Sequence, residues 1–282
     1  MKKSFFVVLL AACILLLAAC AGLAASDPVP LPGPEEPEEE AYEAPQYELE
    51  PTEAVQKFCA EDGTELASYR YVLPSLRVSN WEALSQEDQE KAEQAVAAYN
   101  AVMNSMMEDC VERGEAMYGD ALEAYQNQWL TAQYCDEVDY AGQQMGDLLS
   151  NSLSVYTYTG GAHPNHYKTS YLFDLRSSQF IDPTLVAEDP EAFRTEAAAL
   201  LVEKAEGHSE HTSFWEDYAE VISHWNEGTV LFDGEGMQVV YSPYELGPYA
   251  IGEVVLRLDW EELSPLIGES GMELLGEQQG FK

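Results

Sequence analysis

Residues 148–175 read LLSNSLSVYTYTGGAHPNHYKTSYLFDL, two runs that alternate at period two on either side of a glycine-bearing connection. In the first run Leu149, Leu153 and Val155 fall on one face and Tyr156 and Tyr158 on the other. The second run carries Tyr167, Thr169, Tyr171 and Phe173 at the same spacing. Strands this close in sequence satisfy their backbone groups by pairing antiparallel, so GGAHPNH is expected to close a hairpin. Gly160 and Gly161 would supply backbone angles that other residues resist, and His163 would hydrogen-bond the loop. A chain built on such a hairpin is neither all-helical nor a doubly wound parallel sheet.

The remaining elements fit that frame. Tyr69, Tyr71 and Leu73 mark a strand within residues 65–78, with Pro74 confining it to an edge or a bend. Ser85 and Asp88 form a capping-box pattern ahead of Ala92, Val96, Tyr99, Met103, Met106 and Cys110 at helical spacing. That stripe runs on to about Gln128, with Gly114 and Gly119 expected to interrupt it. Its methionines are expected to face the core rather than line a groove. Asp189 and Pro190 open a helix that reaches Ala205. Another helix is expected from about Ser213 to His224, then a hairpin turning between Phe232 and Met237, a strand EVVLRLD, and a short helix from Trp260. Strands and helices do not strictly alternate. The fold class is therefore α+β, a mainly antiparallel sheet packed with several helices.

The N-terminus has two lysines, an apolar run and then Leu17-Ala18-Ala19-Cys20, the order of a secretory leader, and too short to be a stable membrane span. Leu-Ala-Ala-Cys resembles a bacterial lipobox, which implies a leader over residues 1–20, lipid on Cys20 and a protein held at the outer face of the membrane. Cleavage after Ala25 is the alternative. Residues 21–54 are expected to be an acidic, Pro-rich linker, because residues 26–51 hold seven prolines and nine acidic residues without Lys or Arg. Two α+β domains are expected beyond it, over residues 55–206 and 207–282. The chain carries a net charge of -38, which becomes -40 when Lys2 and Lys3 leave with the leader. Such a surface repels nucleic acid and attracts basic partners.

Chemistry-bearing clusters are few. Cys59, Cys110 and Cys135 remain once Cys13 and Cys20 are set aside, an odd number with no CxxC spacing and no assignable pair. His163 and His166, with His208 and His211 at the same spacing, could together form a zinc site, with Asp174 a further candidate ligand. Pro164 stiffens the first loop, and the structural reading of His163 is preferred. Ser209 and Ser223 lie near histidines without a nucleophile-elbow pattern, so no catalytic residue and no cofactor are expected. Finally, SPYELGPYAIG sets two tyrosines in a rigid segment of prolines and glycines. Tyr244 and Tyr249 could pack as a corner on the sheet. Together with Glu245 they are also the best candidates for contacting a ligand.

Two stretches carry a family resemblance: GGAHPN with YLFDL, within residues 160–175, and VVYSPYELGPYAIGEVVLRLDWEEL, residues 239–263. They resemble the paired extracytoplasmic domains of unknown function of Firmicute surface proteins, over roughly residues 66–267. That pair forms the lysozyme-sensing outer part of a membrane-bound anti-sigma factor and precedes the catalytic domain in a class of peptidoglycan deacetylases. The present chain has a lipoprotein leader where the anti-sigma factor has a sigma-binding segment and a membrane helix, and it ends at Lys282 where a deacetylase domain would follow. The resemblance therefore implies a non-catalytic, extracytoplasmic binding module. Its expected partner is a basic muramidase of lysozyme type, or else peptidoglycan itself. A zinc-binding lipoprotein is the remaining alternative.

Overall fold

The computed structural model describes residues 44–276. The leader, Cys20 and the linker up to residue 43 lie outside the described residues. Strand β1 (Tyr47–Cys59) pairs antiparallel with β2 (Glu65–Val78). Helix α1 (Gln86–Gln126) then crosses to β3 (Tyr134–Met145), which runs parallel to β2. Strands β4 (Leu148–Tyr158), β5 (Asn165–Asp174) and β6 (Gln179–Ile181) complete a six-stranded sheet in chain order. After α2 (Pro190–Glu206) and the short α3 (Tyr218–Ser223), strands β7 (Thr229–Asp233), β8 (Gly236–Tyr241) and β9 (Val254–Asp259) form a second, antiparallel sheet, followed by α4 (Trp260–Leu275). Among the described strands only the β2–β3 pair is parallel, and the class is α+β.

Strand β1 corrects the expected end of the linker. Tyr47 and Leu49 turn inward onto the first core, while Glu48 and Glu50 on the other face pair with Arg77, and Glu53 pairs with Arg70. Acidic density that reads as self-repelling is thus partly neutralised by the arginines of β2. Pro51 sits opposite Pro74. Neither residue has an N–H, so theirs is a non-hydrogen-bonded pair and both imino nitrogens point away from the β1–β2 ladder. For Pro74 that is the β3 side, where pairing has already stopped at Tyr71. For Pro51 it is the free edge, which the proline blunts against pairing with another chain.

Helix α1 begins as expected, Ser85 accepting from the Asp88 N–H. It then continues unbroken for 41 residues, roughly 60 Å at helical rise. Gly114 does not interrupt it: a Cβ there would stand 2.4 Å from Tyr69 Cδ1 and 2.6 Å from the Tyr71 hydroxyl. The glycine lets the helix approach the tyrosine-bearing face of β2. Gly119 faces open space and has no such role. Met103 and Met117 are buried, as expected for a core-facing stripe. Beneath Gly114 lies a closed polar cluster: Asp136 accepts from Tyr71 Oη at 2.7 Å, from Arg113 Nε at 2.8 Å and from Thr157 Oγ1. Burial, then the Asp136 carboxylate, pushes the Tyr71 phenol well above the usual range.

One hydrophobic core continues across residue 206, the expected boundary between two domains. Phe193, Ala197, Leu201 and Ala205, the buried stripe of α2, share one core with Val230, Phe232, Leu256 and Leu263 of the second sheet and α4. Met145, Leu148 and Leu172 of the first sheet reach into that same core. Hydroxyls join the two sheets: Ser170 accepts from the Val230 N–H at 2.7 Å and Ser150 from the Phe232 N–H at 2.9 Å. Lys168 N–H donates to Ser242 Oγ at 3.2 Å, and Thr229 Oγ1 donates to the Lys168 carbonyl at 2.7 Å. The exposed backbone of β5 and β7 is thereby satisfied by side chains instead of by further strands. The helix expected from Ser213 is shortened to α3, with a separate 3-10 turn at His211–Ser213.

Candidate binding face

The hairpin is as expected: β4 and β5 pair with Tyr156 opposite His166 and Thr157 opposite Asn165. Its connection is fixed from both sides. Gly160 adopts φ +80°, its carbonyl accepting from Thr131 Oγ1 at 3.2 Å, while the Tyr158 hydroxyl donates to the Gly161 carbonyl at 3.0 Å. Only Gly160 is in the left-handed region; Gly161 is not, so the expectation for the pair holds at one of them. His163 Nδ1 lies 2.9 Å from the Pro164 carbonyl oxygen, an acceptor only, so Nδ1 carries the hydrogen and donates.

The other ring nitrogen meets the second motif. Tyr244 Oη lies 3.1 Å from His163 Nε2, and the Tyr249 ring stacks on the His163 ring with centroids 3.9 Å apart and planes 20° from parallel. Tyr249 also meets His166 edge-on at 5.6 Å, its hydroxyl 3.4 Å from Nδ1, and lies 5.7 Å from the Tyr244 ring. Two segments read separately in the sequence thus make one cluster. Tyr244 is its most unusual member, with φ +78° on a non-glycine residue and about half its surface, 49%, exposed. A bulky residue in that region costs about 1–3 kcal/mol, and such strain concentrates at functional positions. Tyr249 packs against His163 and His166 and is half-buried, whereas Tyr244 is held but presented to solvent. Glu245 turns its carboxylate back onto the Ser242 N–H, and burial raises its pKa. It shapes the turn that carries Tyr244.

Beside the cluster is a cavity of about 160 Å³ lined by Glu137, Asp139, Tyr156, His166, Lys168 and Glu253, among others. Lys168 pairs with Glu253 at 2.8 Å and Asp139 with Arg70 at 2.7 Å. Tyr156 is 39% exposed. The sequence signal for it was available: it lies on the strand face opposite Leu153 and Val155, where a tyrosine has no core to fill.

The histidines do not assemble as the zinc alternative required. His208 stacks on Phe214 and its Nδ1 accepts from the Glu210 N–H, while His211 meets Phe214 and Tyr218 edge-on. Asp174 is engaged by the Arg176 N–H and the Ser177 hydroxyl in its own turn. Among the described residues no three His, Cys, Asp or Glu side chains gather as a metal-ligand set. Cys59, Cys110 and Cys135 are all free thiols. No described helix is long and apolar enough to cross a membrane.

No family model matches the sequence, and no curated protein matches it. Among solved structures the chain is similar to a DUF3298 family member from Bacteroides fragilis, with TM-score 0.55 and 14% identity over 82% of this chain and 97% of that one. It is also similar to a DUF3298 family protein from Pseudomonas aeruginosa, with TM-score 0.47 and 15% identity over 83% and 99%. The first likeness shows a shared fold, that of a domain of unknown function.

Proposed function

We propose that the chain is a non-catalytic binding module of the cell envelope, tethered by lipid at Cys20 to the outer face of the membrane, and that its partner is a basic protein of the muramidase type. The observation that carries the reading is the meeting of GGAHPN and YELGPYAIG in one exposed cluster, with Tyr244 held at φ +78° and about half exposed. Rigid tyrosines give large contact area at small entropic cost. The charge of -38 would speed and orient the approach of a basic partner. Peptidoglycan is the second reading, supported by the hydroxyl- and carboxylate-bearing cavity next to Tyr156.

The test is calorimetry of the soluble chain of residues 26–282 with hen lysozyme at low and at physiological salt, beside Tyr244→Ala. The proposal expects binding at physiological salt that weakens at least about tenfold in a still-folded Tyr244→Ala, as for an interface anchor. Binding seen only at low salt and indifferent to Tyr244 would overturn it and leave a nonspecific charge effect. Co-sedimentation with purified cell walls in the absence of lysozyme binding would favour the peptidoglycan reading.

A further inference from the structure

We infer that the binding face extends past both motifs to Trp215, and that it is built to receive cationic side chains, arginine or lysine, on its exposed rings. The inference rests on the proposed binding reading and names the contact chemistry of that same face. Trp215 is 42% exposed, far from the ordinary state of so large an apolar residue. Its backbone N–H donates to the Leu246 carbonyl at 2.9 Å, which ties it two residues beyond Tyr244. The preceding turn is equally close: a Cβ on Gly247 would stand 2.8 Å from the Ser213 carbonyl oxygen. On either side of Trp215 the rings of His208, His211, Phe214 and Tyr218 form one cluster, His208 stacked on Phe214 and His211 edge-on to Phe214 and Tyr218. Trp215 is therefore presented by a supported segment, as Tyr244 is.

An independent observation gives the sign of the partner. Between Lys204 and Arg257 the chain has no Lys or Arg and ten acidic residues. Both Trp215 and Tyr244 belong to this cation-free stretch. Glu216, Asp217 and Glu220 flank the tryptophan in exposed positions. Aromatic faces attract cations through their quadrupole, most strongly for tryptophan, and carboxylates at the rim add to the attraction. An apolar partner would not need such a rim, and an anionic one would be repelled. The occupant that fits is a basic protein surface whose arginines or lysines lie on Trp215 and Tyr244, while its body covers the rings.

The experiment follows the indole N–H resonances of the soluble chain of residues 26–282 by NMR, with the Trp215 signal identified by its loss in Trp215→Phe. The chain is titrated with an arginine octapeptide, with a neutral Gly-Ser octapeptide and, separately, with hen lysozyme. The inference expects the Trp215 signal to shift with the arginine peptide and not with the neutral one, while the Trp129 signal, from the most exposed tryptophan at 70%, stays in place. It also expects Trp215→Ala to weaken lysozyme binding about tenfold and Trp129→Ala to leave it unchanged. A shift with the arginine peptide but no lysozyme binding would keep the cation-accepting face and remove lysozyme as its partner. Lysozyme binding weakened by Tyr244→Ala but not by Trp215→Ala would confine the face to the two motifs and overturn the extension. No shift at Trp215 with the arginine peptide would overturn the cationic chemistry.

Discussion

The His163–Tyr249 stack is the joint on which the candidate face depends, and a double-mutant cycle measures it. A stacked ring pair contributes about 0.5–1.5 kcal/mol beyond its buried area. This pair is partly exposed but close, at 3.9 Å and 20°, which places the coupling near the middle of that range, about 1 kcal/mol. His163→Ala also removes the hydrogen bond to Tyr244, a net loss of about 1 kcal/mol, and Tyr249→Ala removes the edge contact with His166. Each single variant should thus lose about 2 kcal/mol, and the double variant about 1 kcal/mol less than the sum of the two. Urea unfolding of the parent, both single variants and the double variant, with a common m-value, provides the four free energies. Losses that add to within about 0.3 kcal/mol would refute the stack, and with it the claim that the two motifs form one surface.

Gly114→Ala should destabilise by about 1–3 kcal/mol, because its methyl would meet Tyr69 and Tyr71, whereas Gly119→Ala should be neutral or stabilising by up to about 1 kcal/mol; thermal unfolding of the two distinguishes close approach from helix propensity. Asp136→Ala should cost about 1–3 kcal/mol, since it leaves the buried Tyr71 hydroxyl without its acceptor while the half-exposed Arg113 stays solvated, and a loss below about 0.5 kcal/mol in urea would refute the cluster's role. Burial works to raise the Asp233 pKa, but Arg257, the Glu235 N–H and Gln238 together lower it below its ordinary 3.8. Its stabilising contribution is therefore complete above that value and lost as pH falls through the lower folded one, so the gap in stability between parent and Asp233→Asn should narrow as pH falls below 3.8. A gap independent of pH between 5 and 2 would contradict the ion pair.

Elements whose side chains alternate against a single core were legible in the sequence. The β4–β5 hairpin, the capped start of α1, the Asp189 cap of α2 and the β7–β8 turn all stand where pattern and turn chemistry placed them. Strand β1 was hidden because its outward residues are acidic, and their partners, Arg70 and Arg77, lie in the next strand and not in the local sequence. Gly114 read as a break because only the fold reveals that Tyr69 and Tyr71 pack against it. The site followed the same division. Each motif was visible alone, but His163 and Tyr249 lie 86 residues apart, and no local rule brings their rings together. Trp215 was read as neither core nor site, since its exposure is decided by the turn beneath it.

The central claim, that one face built from both motifs receives a basic protein, is tested most directly by hydrogen–deuterium exchange of the soluble chain of residues 26–282 with and without hen lysozyme. The account expects slowed exchange on complex formation in residues 159–167, 213–218 and 242–252 and little change along the free edge of β1. Protection confined to β1, or spread over the acidic surface without preference for those three segments, would contradict it.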